Sequence, residues 1–278
     1  MLNICFRYAI RIFVFVLYTL FIPNFSLAHE MWLDTKNFQP QIGDTVAIEL
    51  RNGQNFKGIN LSYFKNRIEN FFWELNSAKT VVKSRSGDIP AIKTPALENG
   101  LMVVVYHSRP STLTYKDWQK FDDFIQHKNL GLIEQVHESR NLPKTNFIES
   151  YKRFSKALIG IGPGQGNDRS YKLETEFVVL TNPYTEDTSN GIKVLLLYQG
   201  IPRKHAQIEV FQRSSSGVVS VFYIKTNAQG KAIIDVLPGH DYLLDAVILR
   251  IPEGGTAQNS GAVWESLWAA TTFSIPTE

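Results

Sequence analysis

Cysteine is almost missing: the 278-residue chain has one, Cys5. A disulfide framework and a cysteine-based zinc pattern are thereby excluded, and so is a cysteine nucleophile in the body of the chain. Excess charge is lacking too. The 29 Lys and Arg against 26 Asp and Glu leave +3, a balance that gives no basic field for nucleic acid or an anionic membrane. There is no heptad repeat and no low-complexity tract. The longest apolar run, Ile12 to Ile22, falls well short of the ~20 residues a membrane-spanning helix needs. A Gly-x-Ser-x-Gly elbow is absent, and no two histidines stand at the i, i+4 spacing of a zincin.

What is present begins with an export signal. Arg7 and Arg11 precede the apolar run, Pro23 closes it, and Ser26-Leu27-Ala28 is a small-x-small cleavage site. Cleavage after Ala28 makes His29 the first residue of a mature chain of 250 residues with net charge +1, since Arg7 and Arg11 leave with the signal. The expected location is periplasmic or secreted. An N-terminal histidine offers its α-amine and its imidazole together as a bidentate chelate, which no internal histidine can do.

Strand signals run from Met31 to about His107, punctuated by Gly43-Asp44, Asn52-Gly53 and Ser86-Gly87-Asp88. Leu101–Tyr106 reads as a buried strand that delivers His107 at its end. The period then changes. Thr114 and Asp117 resemble a capping box, followed by Tyr115, Trp118, Phe121 and Phe124/Ile125 at helical spacing. A second helix carries Leu132, Ile133 and Val136; a third starts near Asn146 with Ile148, Tyr151, Ser155 and Leu158 on one face. Residues 114–160 are therefore expected to be a helical insertion in a β-rich first domain, 29–166. The glycines of Gly160–Gly166 lack both the Lys-Ser/Thr and the following helix of a phosphate loop, and read as a helix stop and linker. From Tyr171 seven short strands with regular turn signals predict a Greek-key β-sandwich over 171–278. The fold class expected is mainly β: two β-sandwich-like domains, the first with the helical insertion.

The six histidines are His29, His107, His127, His137, His205 and His240. His127, beside Gln126, Lys128 and Asn129, reads as an exposed helix end, and His205 and His240 as turn residues. His29, His107 and His137 share one expected domain. Together they would supply an amine and three imidazoles, a donor set suited to Ni, Co, Cu or Zn more than to Mg or Ca. The carboxylates Glu149, Asp168, Asp245 and Glu265 show no spacing that marks an acid–base pair.

Several stretches resemble a known family. Ala28-His29-Glu30-Met31-Trp32-Leu33 and Trp264-Glu265-Ser266-Leu267-Trp268-Ala269 are similar to the family of unknown function DUF4198. So are Leu50–Phe56, Asn182-Pro183-Tyr184 and Tyr242–Val247. That family has been described as similar to a substrate-binding component of nickel/cobalt uptake. The second half, at Gly200-Ile201-Pro202 and Thr226 with Gly230-Lys231-Ala232, also resembles a carboxypeptidase-regulatory or transthyretin-like sandwich. The resemblance implies a non-enzymatic exported protein that binds a transition-metal ion or its chelate through His29 and hands it to a membrane transporter component. Two alternatives from other classes remain: a copper oxidase built on a histidine brace, and an interaction or carbohydrate-binding module using aromatics such as Tyr63, Phe64 and Trp73. A high-capacity metal buffer is disfavoured, because no histidine-rich tract is present.

Overall fold

Strand pairing organises the described residues. The structure is a computed structural model that describes residues 29–277; the export signal expected at 1–28 lies outside the described residues. The first half contains β1 (Glu30–Asp34), β2 (Thr45–Gln54), β3 (Lys57–Leu61), β4 (Ile68–Leu75), β5 (Ala78–Val81), β6 (Ile92–Pro95), β7 (Gly100–Ser108) and β8 (Ser111–Tyr115). Two helices follow, α1 (Trp118–His127) and α2 (Ile133–Ser139), and then β9 (Phe147–Ile161). The second half contains β10 (Thr175–Val179), β11 (Ile192–Tyr198), β12 (Ile201–Pro202), β13 (Gln207–Arg213), β14 (Val219–Lys225), β15 (Lys231–Ile234), β16 (Asp241–Arg250), the short α3 (Gly255–Asn259) and β17 (Trp264–Ser274).

Nine of these strands form one sheet in the order β14-β13-β16-β17-β9-β7-β4-β5, with β8 beside the first part of β9. β9 is its centre. It pairs parallel with β17, Trp264 opposite Glu149, and antiparallel with β7 and β8 on its other side. Side chains alternate across a strand, so the sheet has two distinct faces. On one face Phe154 and Leu158 of β9, with Val103, Leu244 and Leu267, pack against the small sheet β10-β11-β12/β15 through Phe177, Val194 and Ile234. On the other face Ala157, Ile159 and Ile161, with Val104 and Tyr106, pack against β1-β2-β3/β6 through Met31, Leu33, Ile48 and Leu50. The helices cover the remainder of this second face: Phe121, Phe124 and Ile133 meet Phe147, Trp264 and Trp268.

The chain is thus mainly β, as expected, and each half contributes a sandwich. Two expectations need correction. The third helix of the 114–160 insertion is β9, a strand of 15 residues. Its last residues are buried on both faces, so a run such as Phe154–Ile161 carries no polar alternation from which a period of two could be read. The helical segment is confined to α1 and α2. The division at 166/171 is also not a boundary in the core: one hydrophobic cluster joins Phe72, Val105 and Phe154 to Ile192, Leu244 and Phe273. The two sandwiches share the central sheet and do not stand as separate bodies.

The glycine run ends a strand instead of a helix. Gly160 closes on the ring of Tyr184, where an added Cβ would lie 2.6 Å from the ring carbon Cγ. Tyr184 in turn donates its hydroxyl to the Leu158 carbonyl at 2.6 Å. Close backbone–ring approach accounts for the glycine, with no phosphate role needed.

Candidate functional site

β1 delivers the start of the described chain to the helix-covered face of the large sheet. Trp32 and Leu33 are fully buried, and Glu30 is 1 % exposed, whereas its neighbour His29 is exposed. The ladder with β2 sets Glu30 opposite Gly53, and Asn52 Nδ2 donates to the Glu30 carbonyl at 3.0 Å. His29 is thereby held at the rim of a cavity of about 330 Å³. Asn52, Tyr115, Glu149, Arg153 and Trp268 line it, and Lys120 of α1 stands beside them. This volume lies at the small end of the range for small-molecule sites, which starts near ~300 Å³.

The floor comes from one face of β9. Glu149, Tyr151 and Arg153 sit two residues apart, so the strand period aligns them. Glu149 is 1 % exposed and accepts from Tyr115 Oη at 2.8 Å. Ser266 Oγ donates to its other oxygen and itself accepts from Trp268 Nε1 at 2.8 Å. Burial pushes the Glu149 carboxyl above the usual range, against the pull of these two donors. Burial together with the Glu149 charge raises the Tyr115 phenol. Arg153 stacks its guanidinium 3.9 Å from the Trp268 ring centre and 5.1 Å from that of Tyr151. Burial lowers its pKa, and its Nη1 is buried with no hydrogen-bond partner among the described residues.

A buried charge cluster adjoins this floor on the same face. Lys128, just past the end of α1, donates from Nζ to Glu30 Oε1 at 2.9 Å, Glu209 Oε2 at 2.5 Å and Asp245 Oδ2 at 2.9 Å. All four side chains are 3 % exposed or less. Burial alone would lower Lys128; Asp245, Glu30 and Glu209 outweigh it and hold the ammonium above the usual lysine range. Burial raises Glu30 and Asp245. Burial works against Glu209 as well, but the His127 hydrogen bond and the Lys128 charge bring it down to about 2. His127 donates from Nε2 to Glu209 Oε1 at 2.9 Å, so it is half-buried and engaged, not the free helix end expected. The three carboxylates alone would suit a hard cation. The Lys128 ammonium already stands at their common centre and supplies that charge.

The three histidines expected to share a metal are not brought together. His107 stacks on Phe154 with ring centres 4.4 Å apart, which puts it on the opposite face of the sheet from Arg153 and the cavity. Burial and then the Lys152 charge lower its pKa. His137 is fully buried in the helix layer and both its ring nitrogens are used: Nε2 donates to the Pro143 carbonyl at 3.1 Å, and Nδ1 accepts from Trp264 Nε1 at 3.0 Å. That pattern fixes the neutral tautomer and leaves no lone pair for a metal. Of the set, His29 alone borders the cavity.

Sequence reasoning passed over Arg153, Tyr115 and Lys128. The helical reading of β9 hid the Glu149-Tyr151-Arg153 line, which a period of two exposes at once. No local signal marks Lys128, because its three partners lie 98, 81 and 117 residues away.

Fold and site together define a mainly β protein with a central sheet flanked by two smaller ones and a polar cavity under the helices. The chain belongs to the family described as a domain of unknown function, DUF4198, whose profile matches residues 26–250. No curated protein matches it. Among solved structures it is similar to alpha-2-macroglobulin of Salmonella reacted with methylamine, and to a point mutant of that protein. Both matches have 9% identity and a TM-score of 0.20, covering 89% and 88% of this chain. The chain spans 15% of either structure's length, and a likeness at that score carries no argument. No helix among the described residues is long and apolar enough to cross a membrane.

Proposed function

We propose that this is an exported, non-enzymatic binding protein that takes a transition metal of the nickel/cobalt class at its mature N-terminus, as an accessory to uptake by a membrane transporter. The observation that carries the reading is the position of His29. It lies at the rim of the cavity, just ahead of a strand fixed by the buried Glu30 and Trp32, where a freed α-amine and its imidazole form a chelate. Neutral imidazole and amine suit Ni, Co, Cu and Zn. Export and cleavage after Ala28 belong to the same proposal, because the amine does not exist without them. The copper-oxidase alternative loses the second imidazole it would draw from His107 or His137. The test is calorimetric titration of Ni²⁺ and Co²⁺ into protein beginning at His29 and into protein with one alanine added before it. Binding that weakens about tenfold or more on extension supports the reading; equal binding to both forms removes it.

A further inference from the structure

His29 supplies two donors at most, and a tetragonal N,O site for Ni²⁺ or Cu²⁺ calls for about four. The expected protein donors do not fill the gap. His107 is across the sheet and His137 has both nitrogens occupied. Glu149 has one oxygen bound by Tyr115 and the other by Ser266. A ligand that brings its own donors fills the remaining positions without them.

The cavity also states what charge that ligand carries. Arg153 packs its guanidinium over the rings of Trp268 and Tyr151, and it lines the cavity. Its Nη1 is buried and unpartnered among the described residues. Asp245, Glu149 and Glu30 act on Arg153 through their charge, yet none of them hydrogen-bonds it: both Glu149 oxygens are taken as above, and Glu30 and Asp245 each turn one oxygen to Lys128. An arginine desolvated in this way is costly unless an anion completes it, and its forked donors match a carboxylate in bidentate geometry. Lys120 adds a second cation to the lining. A bare divalent cation gains nothing from either group.

Resting on the N-terminal metal reading, we infer that the natural ligand is an anionic chelate: a small carboxylate-bearing molecule that coordinates the metal, with one carboxylate seated on Arg153 and the metal presented to His29. The 330 Å³ cavity has room for such a molecule, being equivalent to roughly ten water volumes at ~30 Å³ each.

Three probes decide it: Ni²⁺ alone, citrate alone, and the preformed Ni²⁺–citrate complex, each titrated into protein beginning at His29. The complex is expected to bind at least about tenfold more tightly than either component. Arg153→Gln should remove that gain and leave Ni²⁺ alone unchanged, and Arg153→Lys, which keeps the charge without the fork, should remove most of it. A wild-type readout guards against variants that do not fold: the Arg153 guanidinium resonance should shift on adding the complex. If Ni²⁺ binds at His29 but the complex binds no better and the resonance is unmoved, the chelate inference falls and the metal reading stands. If citrate alone binds as tightly as the complex and Arg153→Gln abolishes both, the pocket is an anion site and it is the metal reading that falls.

Discussion

Trp264 donates its indole N–H to Nδ1 of His137 at 3.0 Å, tying the short helix α2 to the first residue of β17. The bond makes His137 a structural residue. His137→Ala leaves the indole donor and the Pro143 carbonyl unpaired and opens space among Trp118, Phe121 and Phe147. A loss of about 2–4 kcal/mol in unfolding free energy is expected, with metal affinity unchanged; thermal melts and titrations of the same preparation measure both. A metal-specific loss without destabilisation would contradict the assignment.

Lys128 holds three carboxylates that would otherwise repel one another out of water. Lys128→Met is expected to cost about 3–5 kcal/mol, the usual penalty for stripping one partner from a buried ion cluster. The sign with pH follows from the carboxylates. Without the ammonium, Glu30 and Asp245 rise further and Glu209 loses a charge that holds it low, so the variant keeps most of its stability in acid and loses it as pH climbs through those values. Denaturant unfolding at pH 5 and pH 8 checks this. A variant equally stable at both would show that the cluster is not what holds α1 to β1, β13 and β16.

Glu149 gives a second pH prediction through its raised carboxyl. A carboxylate with a raised folded pKa contributes stability that is present below its unfolded pKa and lost as pH rises through the folded one. Glu149→Gln has no charge to bury. The stability of the variant relative to wild type should therefore improve from about pH 4 to pH 8, even though the amide serves its hydroxyl partners less well. A pH-independent difference would show that Glu149 is not desolvated.

Seven of the eight strands after Tyr171 were legible because turn formers bound them: β10, β11, β13, β14, β15, β16 and β17 are found there, and only the two-residue β12 lies within what read as a turn. α1 was legible from its apolar spacing, although it starts later than Thr114: Asp117 is the residue that accepts from the Lys120 N–H, and Thr114 and Tyr115 end β8. β9 was not. Its centre has partners on both edges and packing on both faces, so tertiary burial overrode the pattern that local reading depends on. The shared sheet was hidden by the same error, since only a strand at 147–161 can join the halves. Of the site, His29 followed from the cleavage motif, while Arg153 and Lys128 are defined by partners distant in sequence.

His107 offers a test of the sheet as a divider. Its burial against Phe154 predicts an imidazole titrating below the ordinary histidine range near ~6.5. NMR titration of the ring protons measures it, and added Ni²⁺ should leave that titration unchanged. A midpoint above the ordinary range, or one that Ni²⁺ displaces, would place His107 in the site.

The central claim is that ligand binds on the helix-covered face at the mature N-terminus. Paramagnetic line broadening by Co²⁺ or Ni²⁺, added to isotope-labelled protein beginning at His29, reads that location directly. The strongest broadening is predicted at His29, Glu30, Asn52 and Tyr151, fading across the sheet toward Phe177 and Val194. Broadening centred on His107, His205 or His240, with the His29 neighbours sharp, would contradict the account.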